Sequence, residues 1–101
     1  MATVVISPIM QSKAEKRQWD FDFTPDLPAG VTLSSAVATH IPPPSGSALT
    51  PVVGSPSAGV VPVTLNFVGQ TVVNGEHKIS CVGTFSNTNT SETLLIFKVN
   101  F

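Results

Sequence analysis

From Val60 onward the chain alternates between apolar and polar positions. Val61, Val63, Leu65 and Phe67 share one parity; so do His77, Ile79, Cys81, Gly83 and Phe85; so do Thr93, Leu95, Phe97, Val99 and Phe101. A period of two puts such residues on one face of a strand. The pattern predicts three consecutive β-strands, Val60–Phe67, Glu76–Phe85 and Thr93–Asn100, with these rows turned to the core. Lys78, Ser80 and Thr84 form the outer row of the second strand, interrupted by Val82. Leu94 and Ile96 leave the last strand partly apolar on its outer face as well, a face that an N-terminal arm or an assembly partner would cover. Asn74-Gly75 is a hairpin signal, because both residues tolerate positive φ. Gly69-Gln70 competes with it as the turn, and both sites stay open.

Upstream, Arg17–Phe23 reads as a strand with Trp19, Phe21 and Phe23 on one face and Gln18, Asp20 and Asp22 on the other. Three rings would supply much of one core wall. Pro25, Pro28 and Gly30 then mark a turn region. Val31–His40 is extended, but its two parities are nearly equivalent, with Val31, Leu33, Ser35, Val37 and Thr39 against Thr32, Ser34, Ala36, Ala38 and His40. Close sheet packing or a bend near Ser34-Ser35 accounts for that. Thr3–Ile6 is β-branched or apolar throughout and reads either as an edge strand stopped by Pro8 or as an arm that orders on a partner. Gln11–Lys16 has the composition of a single helical turn. Ile41–Gly59 holds Pro42, Pro43, Pro44, Pro51 and Pro56. Its proline run predicts a stiff, extended connection, with a short strand within Leu49–Val53.

Composition narrows the functional classes. The chain has 101 residues, fitting one domain, and only 11% of them are charged, against about 25% in ordinary soluble proteins. A surface of Ser, Thr, Asn and Pro favours association over repulsion. With five Lys and Arg and a net charge of -1, the chain lacks the converging cations that nucleic-acid binding needs. The apolar start, Met1–Ile9, is short, lacks a basic leader and is broken by Pro8, so neither a signal peptide nor a membrane span is expected.

Candidate chemistry is sparse. Asp20 and Asp22 are paired carboxylates on a solvent face, without the cleft or shifted acid that glycoside chemistry requires. Cys81 is the only cysteine and reads as a buried apolar thiol. His77 sits in an inward row, where a ligand, a base and a core-edge histidine are all open readings. His40 is the other histidine, and no sequence signal brings the two together. Zinc requires three or four N or S ligands, so no metal site and no cofactor are expected. No nucleophile, base and orienting group share a segment, and no enzyme is expected.

The strand count, about six to seven in one domain, suits an all-β fold: an Ig-like antiparallel β-sandwich with a long Pro-rich connection. A barrel is the alternative. Residues 1–12 form the arm or edge strand and residues 13–101 the sandwich domain.

Several segments carry a resemblance. Arg17-Gln18-Trp19-Asp20-Phe21-Asp22-Phe23 is followed by Leu27-Pro28-Ala29-Gly30-Val31-Thr32-Leu33, then by Val63-Thr64-Leu65-Asn66-Phe67-Val68-Gly69, His77-Lys78-Ile79-Ser80 and Phe97-Lys98-Val99. In this order they resemble a group of small structural proteins of tailed bacteriophages. The likeness spans about Lys13 to Phe101. It departs from the group at His77, where the group has tyrosine, and in the longer, proline-rich Ile41–Gly59 connection. The resemblance implies a non-enzymatic virion protein assembled in the bacterial cytoplasm, oligomeric at symmetry-related sites, with the major capsid protein or another virion protein as partner. Its first implied role is a capsid decoration (cement) protein that binds the outer head surface and stabilises the shell. The alternative is a neck, tail or fibre accessory module that binds another virion protein or a host-surface carbohydrate. Thr3, Val4, Val5 and Ile6, with Pro42, Pro43 and Pro44, are the candidate partner contacts.

Overall fold

The computed structural model describes residues 2–11, as backbone, together with 16–70 and 72–99. Strands run in chain order as β1 (Ala2–Gln11), β2 (Lys16–Asp22), β3 (Leu33–Ile41), β4 (Val52–Val53), β5 (Val60–Asn66), β6 (Gly75–Phe85) and β7 (Thr90–Val99), with a 3₁₀ turn at Thr24–Asp26. They form two layers. One is the antiparallel sheet β2-β5-β4; the other contains antiparallel β3, β6 and β7, and β1 joins its edge parallel to β7 in the order β1-β7-β6-β3. The chain is thus an all-β sandwich, as its alternation predicted.

The inward rows follow the pattern. Val61, Val63, Leu65 and Phe67 from one layer meet Ile79, Cys81, Leu95, Phe97 and Val99 from the other, all buried. Across β2 and β5, Trp19 pairs with Val63 and Phe21 with Val61, so rings and branched side chains alternate along one wall. Trp19 remains half-buried and lies on Phe97, ring centroids 4.9 Å apart.

Two open readings resolve and two expectations change. The turn between β5 and β6 closes at 67–70, where the Gln70 N–H donates to the Phe67 carbonyl (3.0 Å) and Gly69 has φ +76°. Glycine belongs there because this turn needs positive φ at its third residue. Asn74-Gly75 makes no hairpin, since β5 and β6 lie in different sheets. Gln11 and Lys16 lie in strands, not in a helical turn, and Ser12 to Glu15 fall outside the described residues. Thr3 to Ile6 belong to a ten-residue strand in the plane of the sheet. β1 therefore extends the sheet edge and does not lie over the outward Leu94 and Ile96. Finally, Pro42, Pro43 and Pro44 do not run on as an extended rod. The Gly46 N–H donates to the Pro43 carbonyl (2.8 Å), which closes a turn with Pro44 at its second position, where the fixed φ of proline fits.

The ambiguous parity of β3 has a physical resolution. Leu33 pairs with Phe85 and Ser35 with Thr84, so one extra residue is inserted in β3. Such a bulge switches the inward parity. Leu33 is inward before it; Ala36, Ala38 and His40 are inward after it. Gly83 lies opposite Ala36, and a Cβ there would stand 2.8 Å from Leu33 Cδ1 and 3.3 Å from the Phe23 ring. Gly83→Ala is expected to destabilise the protein by about 1–3 kcal/mol through overpacking, read as a lower denaturant midpoint.

Candidate functional site

The most organised polar feature lies between β3, β6 and the connections that follow β3 and β5. His40 pairs with Ile79 across β3 and β6, so His77, two residues from Ile79 on the same face, is its diagonal neighbour. Their rings are parallel within 2°, with centroids 5.2 Å apart. Both side chains are buried, and Phe67 and Phe97 border them.

Hydrogen bonding fixes the protons. The Leu49 N–H donates to His40 Nδ1 at 2.9 Å, so that nitrogen is an unprotonated acceptor. A neutral His40 then carries its proton on Nε2, which lies 2.9 Å from His77 Nδ1. His77 accepts there and donates from its own Nε2 to the Val73 carbonyl at 2.8 Å. The result is a one-directional chain of three hydrogen bonds from the Pro-rich connection to the β5–β6 connection. Burial, with a smaller contribution from His77, lowers the His40 pKa from 6.5 to about 4, so His40 is neutral at pH 7. The arrangement clasps two loops to the core. The two nitrogens nearest each other share a proton, which leaves no opening for a metal between them. Among the described residues, no group of three His, Cys, Asp or Glu could hold a metal ion.

The remaining candidates are dispersed. Cys81 is fully buried, and burial pushes its thiol up to about 11, so it stays protonated and inert. Asp20 and Asp22 are exposed. Asp22 Oδ1 accepts from the Thr24 N–H (2.9 Å) and hydroxyl (2.7 Å); the hydroxyl bond chiefly holds its carboxyl below the ordinary value. Asp22 thus fixes the exit of β2, a role in turn geometry. Of the candidate contacts, Pro44 is exposed and Pro42 and Pro43 are half-buried. Thr3, Val4, Val5 and Ile6 stand at register positions opposite Thr93 to Ile96, at the opposite edge of their sheet from β3.

A second polar contact also escapes sequence reading. The Ser91 hydroxyl, buried at the start of β7, donates to Asp26 Oδ2 at 2.6 Å and ties the 3₁₀ turn to the sheet. Ser91→Ala is expected to cost about 1.5–3 kcal/mol, the range for a hydrogen bond to a charged group, measured by chemical denaturation. A cleft of about 310 Å³ beside this pair is lined by Pro25, Asp26, Pro28, Phe85, Asn89, Thr90 and Ser91. Another, of about 390 Å³, is lined by Ala48, Leu49, Thr50, Val52, Thr64, Asn66 and Gln70. Neither lining combines a nucleophile with a histidine base. Comparison with known proteins returns no matching family model and no matching curated protein.

Proposed function

We propose that this chain is a non-enzymatic structural subunit of a tailed-phage virion, an Ig-like β-sandwich that decorates the outer head surface. The observation that carries the reading is the strand order. The order β2-β5-β4 in one sheet and β7-β6-β3 within the other, four-stranded sheet supports a reading as the B-E-D and G-F-C strands of an Ig sandwich. Four of the five resembling segments fall on strands of that order: the aromatic-Asp strand on β2, Val63-Thr64-Leu65 on β5, His77-Lys78-Ile79-Ser80 on β6 and Phe97-Lys98-Val99 on β7, while Leu27 to Thr32 lie in the connection before β3. The surface supports a binding role. Val37 and Val52 are 68% and 67% exposed, on a chain with few charges to oppose association.

Carbohydrate recognition ranks lower. It favours exposed aromatic rings beside polar groups, whereas Trp19 lies on Phe97 and Phe67 is buried. The neck, tail or fibre reading uses the same fold and differs in the virion surface met. Co-sedimentation with purified undecorated heads tests the proposal. Saturable pelleting with the heads is the expected result, and protein that stays in the supernatant at all head concentrations contradicts head decoration. If added repeats of the lattice act together, binding should be far tighter to intact heads than to isolated capsid subunits.

A further inference from the structure

The four outer edges of the two sheets are not alike. β2 carries Lys16, Arg17, Asp20 and Asp22. β4 is two residues long. β1 contains Pro8, and its register with β7 shifts between Ile6 and Met10. Charge, shortness, proline and irregularity are the usual means of keeping an edge from pairing with another chain. β3 has none of these over most of its length. It spans nine residues, Leu33–Ile41, without Pro, Lys, Arg, Asp or Glu, and its one bulge is confined to the Leu33/Ser35 end. Among the described residues, β6 alone pairs with it. Ala36 and Ala38 point inward yet stay partly exposed, as expected where no further strand closes that side. Alternate backbone N–H and C=O groups of an edge strand point away from its neighbour and form a template for another strand.

We propose that β3 pairs antiparallel with β3 of a second copy of this chain, about a twofold axis at Val37, joining the two four-stranded sheets into one. The occupant follows from the sequence of the strand itself. Ser35-Ala36-Val37-Ala38-Thr39 reads nearly the same from either end. In antiparallel register about Val37, Ser35 meets Thr39, Ala36 meets Ala38 and Val37 meets Val37. Hydroxyl faces hydroxyl, small faces small and valine faces valine, with no charge opposed to a like charge. That is the self-complementarity an isologous interface requires. A twofold axis perpendicular to the sheet keeps the exposed Val37 and Ile41 side chains on one common outer face, where they extend the contact. One strand pair is a small interface, so the dimer is weak and concentration-dependent. The β3 edge is present whether or not the protein binds a virion, so this pairing does not depend on the virion reading.

Sedimentation velocity of the full chain over rising concentration tests it, together with Val37→Lys and Val52→Lys variants. Both valines are exposed to the same extent, so neither change empties the core. Wild type and Val52→Lys should dimerise with a Kd below about 1 mM, while Val37→Lys, which brings two ammonium groups together at the axis, should weaken the dimer at least about tenfold. Amide exchange in wild type should slow with concentration at β3 and not at β2. A wild type that stays monomeric throughout, a Val37→Lys variant that dimerises like wild type, or concentration-dependent protection confined to another strand overturns the proposal.

Discussion

Phe97→Ala is expected to remove about 3–5 kcal/mol of stability, the usual loss for a buried phenylalanine. Phe97 is fully buried and stands where both layers and the polar clasp meet. Its ring contacts Trp19 at 4.9 Å, His77 at 5.6 Å and Phe67 at 6.3 Å, centroid to centroid. Truncation leaves a cavity that strands fixed by ladders on both sides cannot collapse to fill. A domain of this size has about 5–15 kcal/mol in all, so the variant sits near the edge of folding. Urea denaturation followed by Trp19 emission reads both effects: a lower midpoint, and a red-shifted native spectrum because Trp19 loses the ring it lies on. Val52→Ala, at a 67% exposed position, should change stability by less than about 0.5 kcal/mol. A Phe97→Ala loss no larger than that of Val52→Ala contradicts the packing described.

Acidification is the second large effect. The folded-state pKa of His40, about 4, lies below its ordinary 6.5, so the unfolded chain binds the proton more tightly than the folded one. Stability from this group is therefore complete above pH 6.5 and is lost as pH falls through the window down to about 4. The full loss amounts to about 3–4 kcal/mol, because each pH unit between the unfolded and folded pKa values is worth roughly 1.4 kcal/mol. The geometry explains the sign. A proton added to His40 Nδ1 would face the Leu49 N–H. That addition sets donor against donor and frees the clasp on the Pro-rich connection. Denaturation at stepped pH should show this slope, with the Leu49 amide exchanging faster at pH 4.5 than expected from the intrinsic rate. His40→Asn places Oδ1 near the site of Nδ1 but does not titrate. It should be less stable at pH 7 and show a shallower slope from pH 6.5 to 4. A variant with the wild-type slope would move the acid sensitivity to another group.

How much of this was legible in the sequence depended on local pattern. The inward rows of β5, β6 and β7 were readable because alternation is strict there and both neighbours of each core residue are polar or outward. β2 was readable from its three rings. β3 was readable only in part: a bend near Ser34-Ser35 was one of two accounts of its parity, and the bulge lies there, but among serines and alanines of similar size the period-two pattern does not show which parity turns inward after it. That failure concealed the His40–His77 pair. With that parity open, the inward face of His40 was unknown, and the pairing of β3 with β6 is a long-range choice that local pattern does not encode. The turn at 43–46 was missed for a related reason. A proline run favours extension by itself, and only the Gly46 N–H returning to the Pro43 carbonyl shows that the segment turns back. Asn74-Gly75 left the turn between β5 and β6 undecided, since a strong hairpin dipeptide lies at a crossing between layers. The chemistry of the carboxylates was partly legible: the solvent face of Asp20 and Asp22 was foreseen, the hold of Asp22 on Thr24 was not.

The measurement that tests the functional account most directly is symmetry-averaged cryo-electron microscopy of undecorated phage heads after incubation with the purified protein. Regular density the size of one β-sandwich at repeated lattice positions is the predicted result, with the face around β1 or the turn at 43–46 against the shell. A bare shell, with density only at a vertex or along a tail, contradicts head decoration and assigns the protein to the neck, tail or fibre. Particles carrying no added density anywhere contradict the virion account itself.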